Sequence, residues 1–359
     1  MMRAFTTSMI SLLLCLSSFG QTWRGTVFDA QNHTPIPGVA VYLNGTSVYS
    51  ITNAEGKFEL SPKQFINTDL VLSHLSYETL TYEKPFDGLP EVFYMTEKSN
   101  LIDNIVITPS PFSRKKELEL FREYFLGTSR SAKSCTIENE SEIYFRYSPA
   151  EGVLRAYCTE PIRIDNPYLG YSILFHLSEF RLTFSVPEDI EHSSFLSLTT
   201  GSSTFTDHAP EDLQIVRRRQ ETYEGSMRSF FKDWAYHNQL VEGTGYLPPP
   251  ERWTVRSSMP GEPRFYAVMP NPSGRTIRIV GTPEHQTIAD GLLSGFVYDK
   301  IRVRYRKGTS SNSYLTFLHN EFLVDYYGNV DKGASIYTTG DMGEKRIGDS
   351  LPLDYEPAD

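Results

Sequence analysis

One histidine and one glutamate, His176 and Glu179, have the spacing of a His-x-x-Glu pair of zinc ligands. They lie in the alternating run Tyr171–Phe184, which predicts a β-strand. Residues three apart on a regular strand point to opposite faces, so these two side chains should not share a metal ion. The remaining candidates show no ligand spacing: His192, His208, His237 and His319. The sequence therefore predicts no metal site.

The serines offer no recognisable nucleophile. A hydrolase of the Gly-x-Ser-x-Gly type needs a glycine on each side of its serine, and neither the segment at Ser202 nor the one at Ser226 has the second glycine. No glycine cluster precedes a lysine at the start of a predicted helix, so the common nucleotide-binding loops are missing too. We therefore predict no catalytic residue and no cofactor, and expect a non-enzymatic protein. The alternative is a hydrolase whose site leaves no sequence signature.

A run of three arginines could bind an anionic group. Arg217, Arg218 and Arg219 present planar, permanently charged guanidinium groups in succession. The alternative interpretation is a solvated run that forms ion pairs with neighbours such as Glu221 and Glu224.

Three aromatic residues could form a platform for a sugar or a peptide. Aromatic side chains make up 13% of the chain, and exposed tyrosine and tryptophan often line binding sites. The candidates are Tyr168, Tyr171 and Trp253. The alternative is that they belong to the hydrophobic core.

The charge balance limits the classes of partner. The chain of 359 residues has 44 acidic and 34 basic side chains and a formal net charge of −10. Apart from the arginine run, the basic residues are scattered along the sequence. This pattern predicts no nucleic-acid-binding surface.

Residues 1–20 have a basic residue, an apolar stretch and small residues in the order that is typical of a secretory signal peptide. Arg3 precedes the apolar stretch Met9–Leu16, and Ser18 and Gly20 provide small side chains before Gln21. The apolar stretch is too short to span a bilayer, and no later run is long enough. We predict an exported mature chain without a transmembrane segment, located in the periplasm or associated with the outer membrane.

Short strands separated by turn sequences predict a β-sandwich over residues 21–98. The turns contain two prolines between Thr34 and Gly38 and the tight-turn pair Asn44-Gly45. The predicted strands are Trp23–Phe28, Val39–Leu43, Lys57–Leu60, Leu70–Leu75 and Glu91–Met95.

The motifs of this segment resemble the carboxypeptidase-like regulatory domain common in envelope proteins of Bacteroidetes. The resemblance rests on Thr34-Pro-Ile-Pro-Gly-Val39, Thr52-Asn-Ala-Glu-Gly-Lys-Phe58 and Ser73-His-Leu-Ser-Tyr77. It implies a seven-stranded, transthyretin-like and immunoglobulin-like sandwich, as in the N-terminal extension of TonB-dependent receptors. The family usually has a glycine before the tyrosine and an aspartate in the turn, where this chain has Ser76 and Asn53.

Residues 99–112 are predicted to link the sandwich to a second region. Their segment Leu101–Thr108 resembles the connection between this domain and the plug in outer-membrane transporters. A β-rich segment of this kind could pair with the sheet edge of a partner. It could equally complete the sandwich or begin the next domain.

Residues 113–355 predict a larger β-rich domain with two short helices, so that the whole chain is mainly β. The first helix should begin after Ser113 and end at Gly127, and the second should begin after Ser226 and end at Gly243. Several segments of this region resemble the part that follows the regulatory domain in Bacteroidetes proteins of unknown reaction, among them Pro161–Asn166 and Leu351–Tyr355.

A predicted hairpin separates the two cysteines of the mature chain. Strands Glu142–Tyr147 and Val153–Tyr157 place Cys158 opposite Ile143 and far from Cys135. A disulfide needs Cα atoms within about 7 Å. We therefore predict two free thiols.

These patterns favour a non-enzymatic binding or accessory protein of the cell envelope, whose ligand is an envelope protein or a glycan. One alternative is the hydrolase with an unrecognised site. The other is a TonB-linked transport or signalling adaptor that acts through Leu101–Thr108.

Overall fold

A computed structural model of the chain describes residues 22–98, 110–185, 195–236, 252–257, 265–280, 299–306, 312–331 and 336–357. The predicted signal peptide, the segment Leu101–Thr108 and the end of the second predicted helix lie outside these residues. The described part is mainly β, as predicted, with twenty strands and four α-helices. None of these described helices has the length and apolar character needed to span a membrane.

The first seven strands form an N-terminal sandwich of two sheets, with strand orders β4-β1-β7 and β3-β2-β5-β6. Their inward side chains, such as Val27, Val41 and Leu72, are fully buried. The five predicted strands are present, while β3 and β6 were not predicted. The bounds are β1 Trp23–Asp29, β2 Ala40–Leu43, β3 Tyr49–Ile51, β4 Lys57–Leu60, β5 Leu70–His74, β6 Tyr77–Tyr82 and β7 Val92–Met95.

A six-stranded sheet follows and is built around one long strand, β12. The first half of β12 pairs with β11, its second half pairs with β10, and β13 runs along its other edge. The bounds are β8 Thr136–Ile137, β9 Tyr144–Ser148, β10 Val153–Tyr157, β11 Ile162–Asn166, β12 Tyr171–Phe184 and β13 Phe195–Asp207.

Helix α1, Arg114–Phe125, covers one face of this sheet. It begins as predicted, because the Ser113 side chain accepts a hydrogen bond from the backbone amide of Lys116. Phe121 and Phe125 are buried and contact Phe180 and Phe175 of β12 at ring distances of 4.8 and 5.1 Å. A second, short helix, α2, spans Arg130–Ser134.

The hairpin β9–β10 has the predicted register. Tyr144 lies opposite Tyr157. Extending this register by one residue places Ile143 opposite Cys158. Cys135 and Cys158 are free thiols, as predicted. Burial raises the pKa of Cys135 to about 12 and also raises the pKa of Cys158.

The last part of the described chain has its own hydrophobic core, between the sheets β14-β17-β18-β20 and β15-β16-β19. Helix α4, Met227–Tyr236, buries Phe230, Phe231 and Trp234 in it. Helix α3, Leu213–Tyr223, precedes α4, so the described residues contain four helices where two were predicted. The strand bounds are β14 Trp253–Ser257, β15 Phe265–Asn271, β16 Gly274–Val280, β17 Asp299–Tyr305, β18 Ser313–Phe317, β19 Glu321–Val324 and β20 Ile336–Gly340.

Candidate functional site

The sandwich is joined to the edge of β13 by backbone hydrogen bonds. The turn after β2, predicted from Asn44-Gly45, brings Thr46 alongside Thr204 as a parallel bridge. The Gly45 amide donates to the Ser203 carbonyl at 2.7 Å, and the Phe205 amide donates to the Thr46 carbonyl at 3.0 Å. The turn therefore acts as a short extra strand on the six-stranded sheet.

The C-terminal segment, residues 352–356, forms hydrogen bonds with the other side of the same turn. The Leu353 amide donates to the Gly45 carbonyl at 2.7 Å. The Asp354 carboxylate accepts from the amide and the hydroxyl of Ser47 at 2.9 and 2.6 Å. Arg228 of α4 holds this segment by donating to the carbonyl oxygens of Pro352, Leu353 and Tyr355.

These contacts enclose a cavity of about 490 Å3, which we call the junction cavity. The sandwich contributes Ser47, Ser61 and Lys63, and the C-terminal segment contributes Asp354, Tyr355 and Glu356. The six-stranded sheet and α3 contribute Tyr171, Asp207, Val216 and Arg219. Among its described lining residues there is no histidine or cysteine, so the cavity offers hydroxyls, carboxylates and cations to a ligand.

The charged wall of the junction cavity is an ion pair between the buried Arg219 and the solvent-accessible Asp207. Arg219 donates to both oxygens of Asp207 at 2.8 and 2.6 Å, and to the carbonyls of Leu169 and Gly170. Its guanidinium carbon lies 3.9 Å from the centre of the Tyr171 ring. Four of the five N–H groups of an arginine are thus in use, so Arg219 positions Asp207 and keeps one N–H group for a ligand.

Two tyrosine hydroxyls in this part of the molecule are buried without a hydrogen-bond partner among the described residues, those of Tyr355 and Tyr223. Their rings lie 5.8 Å apart. Burial raises the pKa of Tyr223 to about 12 and raises the pKa of Tyr355, so both stay protonated at neutral pH. Tyr355 lines the junction cavity, and a ligand oxygen that reached its hydroxyl could accept a hydrogen bond from it.

A second depression, of about 520 Å3, lies between the sandwich and strands β12 and β13. Its wall includes His176, whose Nδ1 atom is 3.4 Å from the Ser73 hydroxyl. The Tyr42 ring stacks on His176 at 5.9 Å. Burial lowers the pKa of His176 to about 4, which leaves a neutral imidazole of low basicity.

The strand around His176 differs from the regular geometry that the sequence predicts. A bulge between Leu177 and Glu179 inserts one residue, so His176 and Glu179 face the same side of β12. The argument that they point to opposite faces is therefore wrong. No group of three or more His, Cys, Asp and Glu side chains close enough to hold a metal ion is present among the described residues.

The three arginines of the predicted run have different surroundings in the structure. Arg217 is 81% exposed and pairs with Glu221 at 2.9 Å, as its alternative interpretation states. Arg218 covers the Tyr168 ring at 4.8 Å, which joins two of the predicted residues in a cation–π contact. Arg219 is buried, because the helical spacing of α3 turns it toward the sheet.

Two predicted aromatic residues belong to the core. Trp253 is fully buried, and its indole N–H donates to Asp233 at 2.9 Å, so it is corrected from a surface platform to a core residue. Tyr171 is buried against Arg219 and reaches only the wall of the junction cavity. Sequence reasoning missed Lys63, Asp354 and Tyr355, which become neighbours only when the chain folds.

The fold and the junction define a chain with a non-catalytic β-sandwich fixed to a larger β-rich region. Residues 23–107 match the family model of the CarboxypepD_reg-like domain. This match confirms the resemblance of the N-terminal domain, and it extends past the predicted boundary at residue 98 into Leu101–Thr108. No curated protein matches the sequence of the chain.

Proposed function

We propose that this chain is an exported, non-enzymatic binding protein of the bacterial cell envelope, with an envelope protein or a glycan as its ligand. The N-terminal pattern of residues 1–20 supports export, and the regulatory-type sandwich supports an accessory role. The resemblance of the second region to Bacteroidetes proteins supports an origin in that group, with a periplasmic or outer-membrane-associated location.

The observation that carries this proposal is the Tyr355 hydroxyl, buried without a partner among the described residues beside the junction cavity. A buried polar group that lacks a hydrogen bond costs about 1–3 kcal/mol. A ligand oxygen or amide carbonyl that reached this hydroxyl from the cavity would remove the cost. Hydroxyls of Ser47 and Ser61 and the ammonium of Lys63 would then fix its orientation.

Blocking the cavity tests the proposal. Ser61 is exposed at the cavity mouth, so Ser61→Trp should fill the mouth without disturbing the core. Ser141, also exposed and outside the cavity, provides the matched control Ser141→Trp. Immobilised protein is mixed with separated protein and glycan fractions of envelope extracts. Retention of a component by the parent and the control, but not by Ser61→Trp, is expected; equal retention by all three would reject the cavity.

A hydrolase is the second candidate, because Ser73 and His176 are neighbours in the other depression. Their 3.4 Å separation is long for proton transfer, and a histidine with a pKa of about 4 is a poor base at neutral pH. Hydrolysis of a peptide or ester substrate that disappears in both Ser73→Ala and His176→Ala would replace our proposal with this one.

A further inference from the structure

The sheet β14-β17-β18-β20 has one apolar and one polar face. Ile301, Val303 and Leu315 point into the core and are at most 1% exposed. Because side chains alternate along a strand, their neighbours occupy the opposite face, which we call the basic face. On β14 and β17 those neighbours are Arg256, Lys300, Arg302 and Arg304.

Strand pairing brings these cations together. Arg256 lies directly opposite Arg302, and Arg304 is the next outward residue of β17. Such neighbours are roughly 5 Å apart across strands and roughly 7 Å apart along one strand. Within the described part of the chain, Arg256, Arg302 and Arg304 form no ion pair.

The basic face stands out against the charge of the whole molecule. The outward positions of these four strands carry no carboxylate in the described residues, whereas the chain has a formal net charge of −10. Like charges directly opposite each other destabilise a sheet. For the three arginines, this arrangement costs stability and has no counter-charge among the described residues, which points to an anionic partner.

The other half of the basic face offers rings and hydroxyls. Tyr314 lies opposite Arg302, and Tyr337 lies opposite Thr316. The side chain of Tyr337 is 46% exposed, which is unusual for a large aromatic group and leaves its ring open for stacking. Thr316 and Thr339 add hydroxyls beside the two tyrosines.

We propose that the basic face binds an anionic polysaccharide. Arg256, Arg302 and Arg304 take successive carboxylate or sulfate groups of the polymer, and Tyr337 stacks on a sugar ring. The inference shares with the proposed function the premise that the chain binds an envelope component, but it does not involve the junction cavity.

A polysaccharide fits this face better than a nucleic acid does. A nucleic acid gains most of its binding affinity from closely spaced phosphates. Those phosphates that extend past the basic face would be repelled by the negative charge of the rest of this chain. A polysaccharide with one charge for every two or more sugars meets less repulsion. Threonine and tyrosine hydroxyls are also suited to the hydroxyl groups between its charges.

The test is a titration of the full chain with hyaluronate, which has one carboxylate per disaccharide, κ-carrageenan, which has one sulfate per disaccharide, uncharged dextran and a single-stranded oligonucleotide. We expect one or both anionic glycans to bind, with the tighter one identifying carboxylate or sulfate as the preferred group. Affinity should fall with added salt. Dextran should not bind, and the oligonucleotide should bind more weakly than the glycan. Tighter oligonucleotide binding, or no glycan binding, would overturn the proposal.

Variants separate this face from general electrostatics. Arg302→Gln with Arg304→Gln should weaken glycan binding about tenfold, because two charge contacts are lost. The control, Arg24→Gln with Arg217→Gln, makes the same charge change at arginines that are 73% and 81% exposed elsewhere, and should bind like the parent. Equal weakening in the control rejects the site. Ser61→Trp should retain glycan binding, so failure of the junction cavity and failure of the basic face give different results.

Discussion

Asp325 accepts a hydrogen bond from the backbone amide of Asn67 at 2.9 Å, although 258 residues separate them along the chain. The carboxylate is fully buried and also accepts from the amide and side chain of Asn329. It therefore ties the sandwich to the region after β19.

Replacing Asp325 should weaken the contact between the sandwich and the region after β19 and so lower the stability of the protein. Asp325→Ala leaves three donors without their acceptor, so the free energy of unfolding should fall by about 3 kcal/mol, whereas Asp325→Asn keeps one acceptor and should lose less. Urea denaturation measures both. An alanine variant as stable as the parent would show that the carboxylate contributes nothing to docking.

Arg228 holds the C-terminal segment through three carbonyl groups. Arg228→Gln should lower the free energy of unfolding by about 3 kcal/mol, because at least two of those carbonyls lose their donor inside the protein. Arg217→Gln, on the exposed side of the preceding helix, should change stability by less than about 0.5 kcal/mol. Thermal and urea unfolding of the two variants provide the comparison, and similar losses in both would contradict the role of Arg228.

His176 should make the protein sensitive to acid. Its pKa is about 4 in the folded chain, below the ordinary value of 6.5, because burial opposes protonation. Between these two values the unfolded chain binds a proton that the folded chain does not. Stability should therefore fall as the pH decreases through this window, by about 3 kcal/mol at most.

The variant His176→Gln isolates this contribution. Its urea midpoint should change less between pH 7 and pH 4.5 than that of the parent, while the exposed-residue control His208→Gln should follow the parent. If His176→Gln and the parent lose stability in parallel, His176 is not shielded by the sandwich.

Two glycines of the sandwich have positive φ angles and different surroundings. Gly38 has φ of 78°, and no atom lies within 4 Å of the position that a Cβ would occupy there. A Cβ on Gly56, at φ of 71°, would lie 2.5 Å from the Val27 carbonyl oxygen. Gly38→Ala should cost about 1–2 kcal/mol from conformation alone. Gly56→Ala should cost at least about 1 kcal/mol more from the close contact. Equal losses on urea unfolding would contradict this distinction.

Local patterns predicted much of the fold. The hairpin register at Tyr144 and Tyr157, the helix start at Ser113 and five sandwich strands depend on turn residues, capping and alternation, which act over a few positions. Helix α3 was missed because its arginine run suggests a solvated segment. The Asp212 side chain, which accepts hydrogen bonds from Gln214 and Ile215, is the capping signal that could have located it.

The candidate sites could not be predicted in the same way. The bulge at Glu179 depends on how β12 pairs with β13, and the junction cavity depends on contacts between distant segments. The basic face did leave a local signal, since Lys300, Arg302 and Arg304 alternate with apolar residues. Scattered basic residues in the sequence became a cluster because a strand collects every second residue on one side.

The contact between Ser47 and Asp354 spans 307 positions of the chain and sets an order of assembly. Contacts between distant segments form late, because closing a long loop costs more entropy than closing a short one. We expect the sandwich to fold first and to dock in two steps, on β13 through Gly45 and Thr46 and then on residues 352–355. Before the first step the turn at Asn44–Thr46 and the edge of β13 both expose unpaired backbone groups. A neighbouring chain could then occupy either one, so this stage of synthesis is where crowding would most readily cause misassembly.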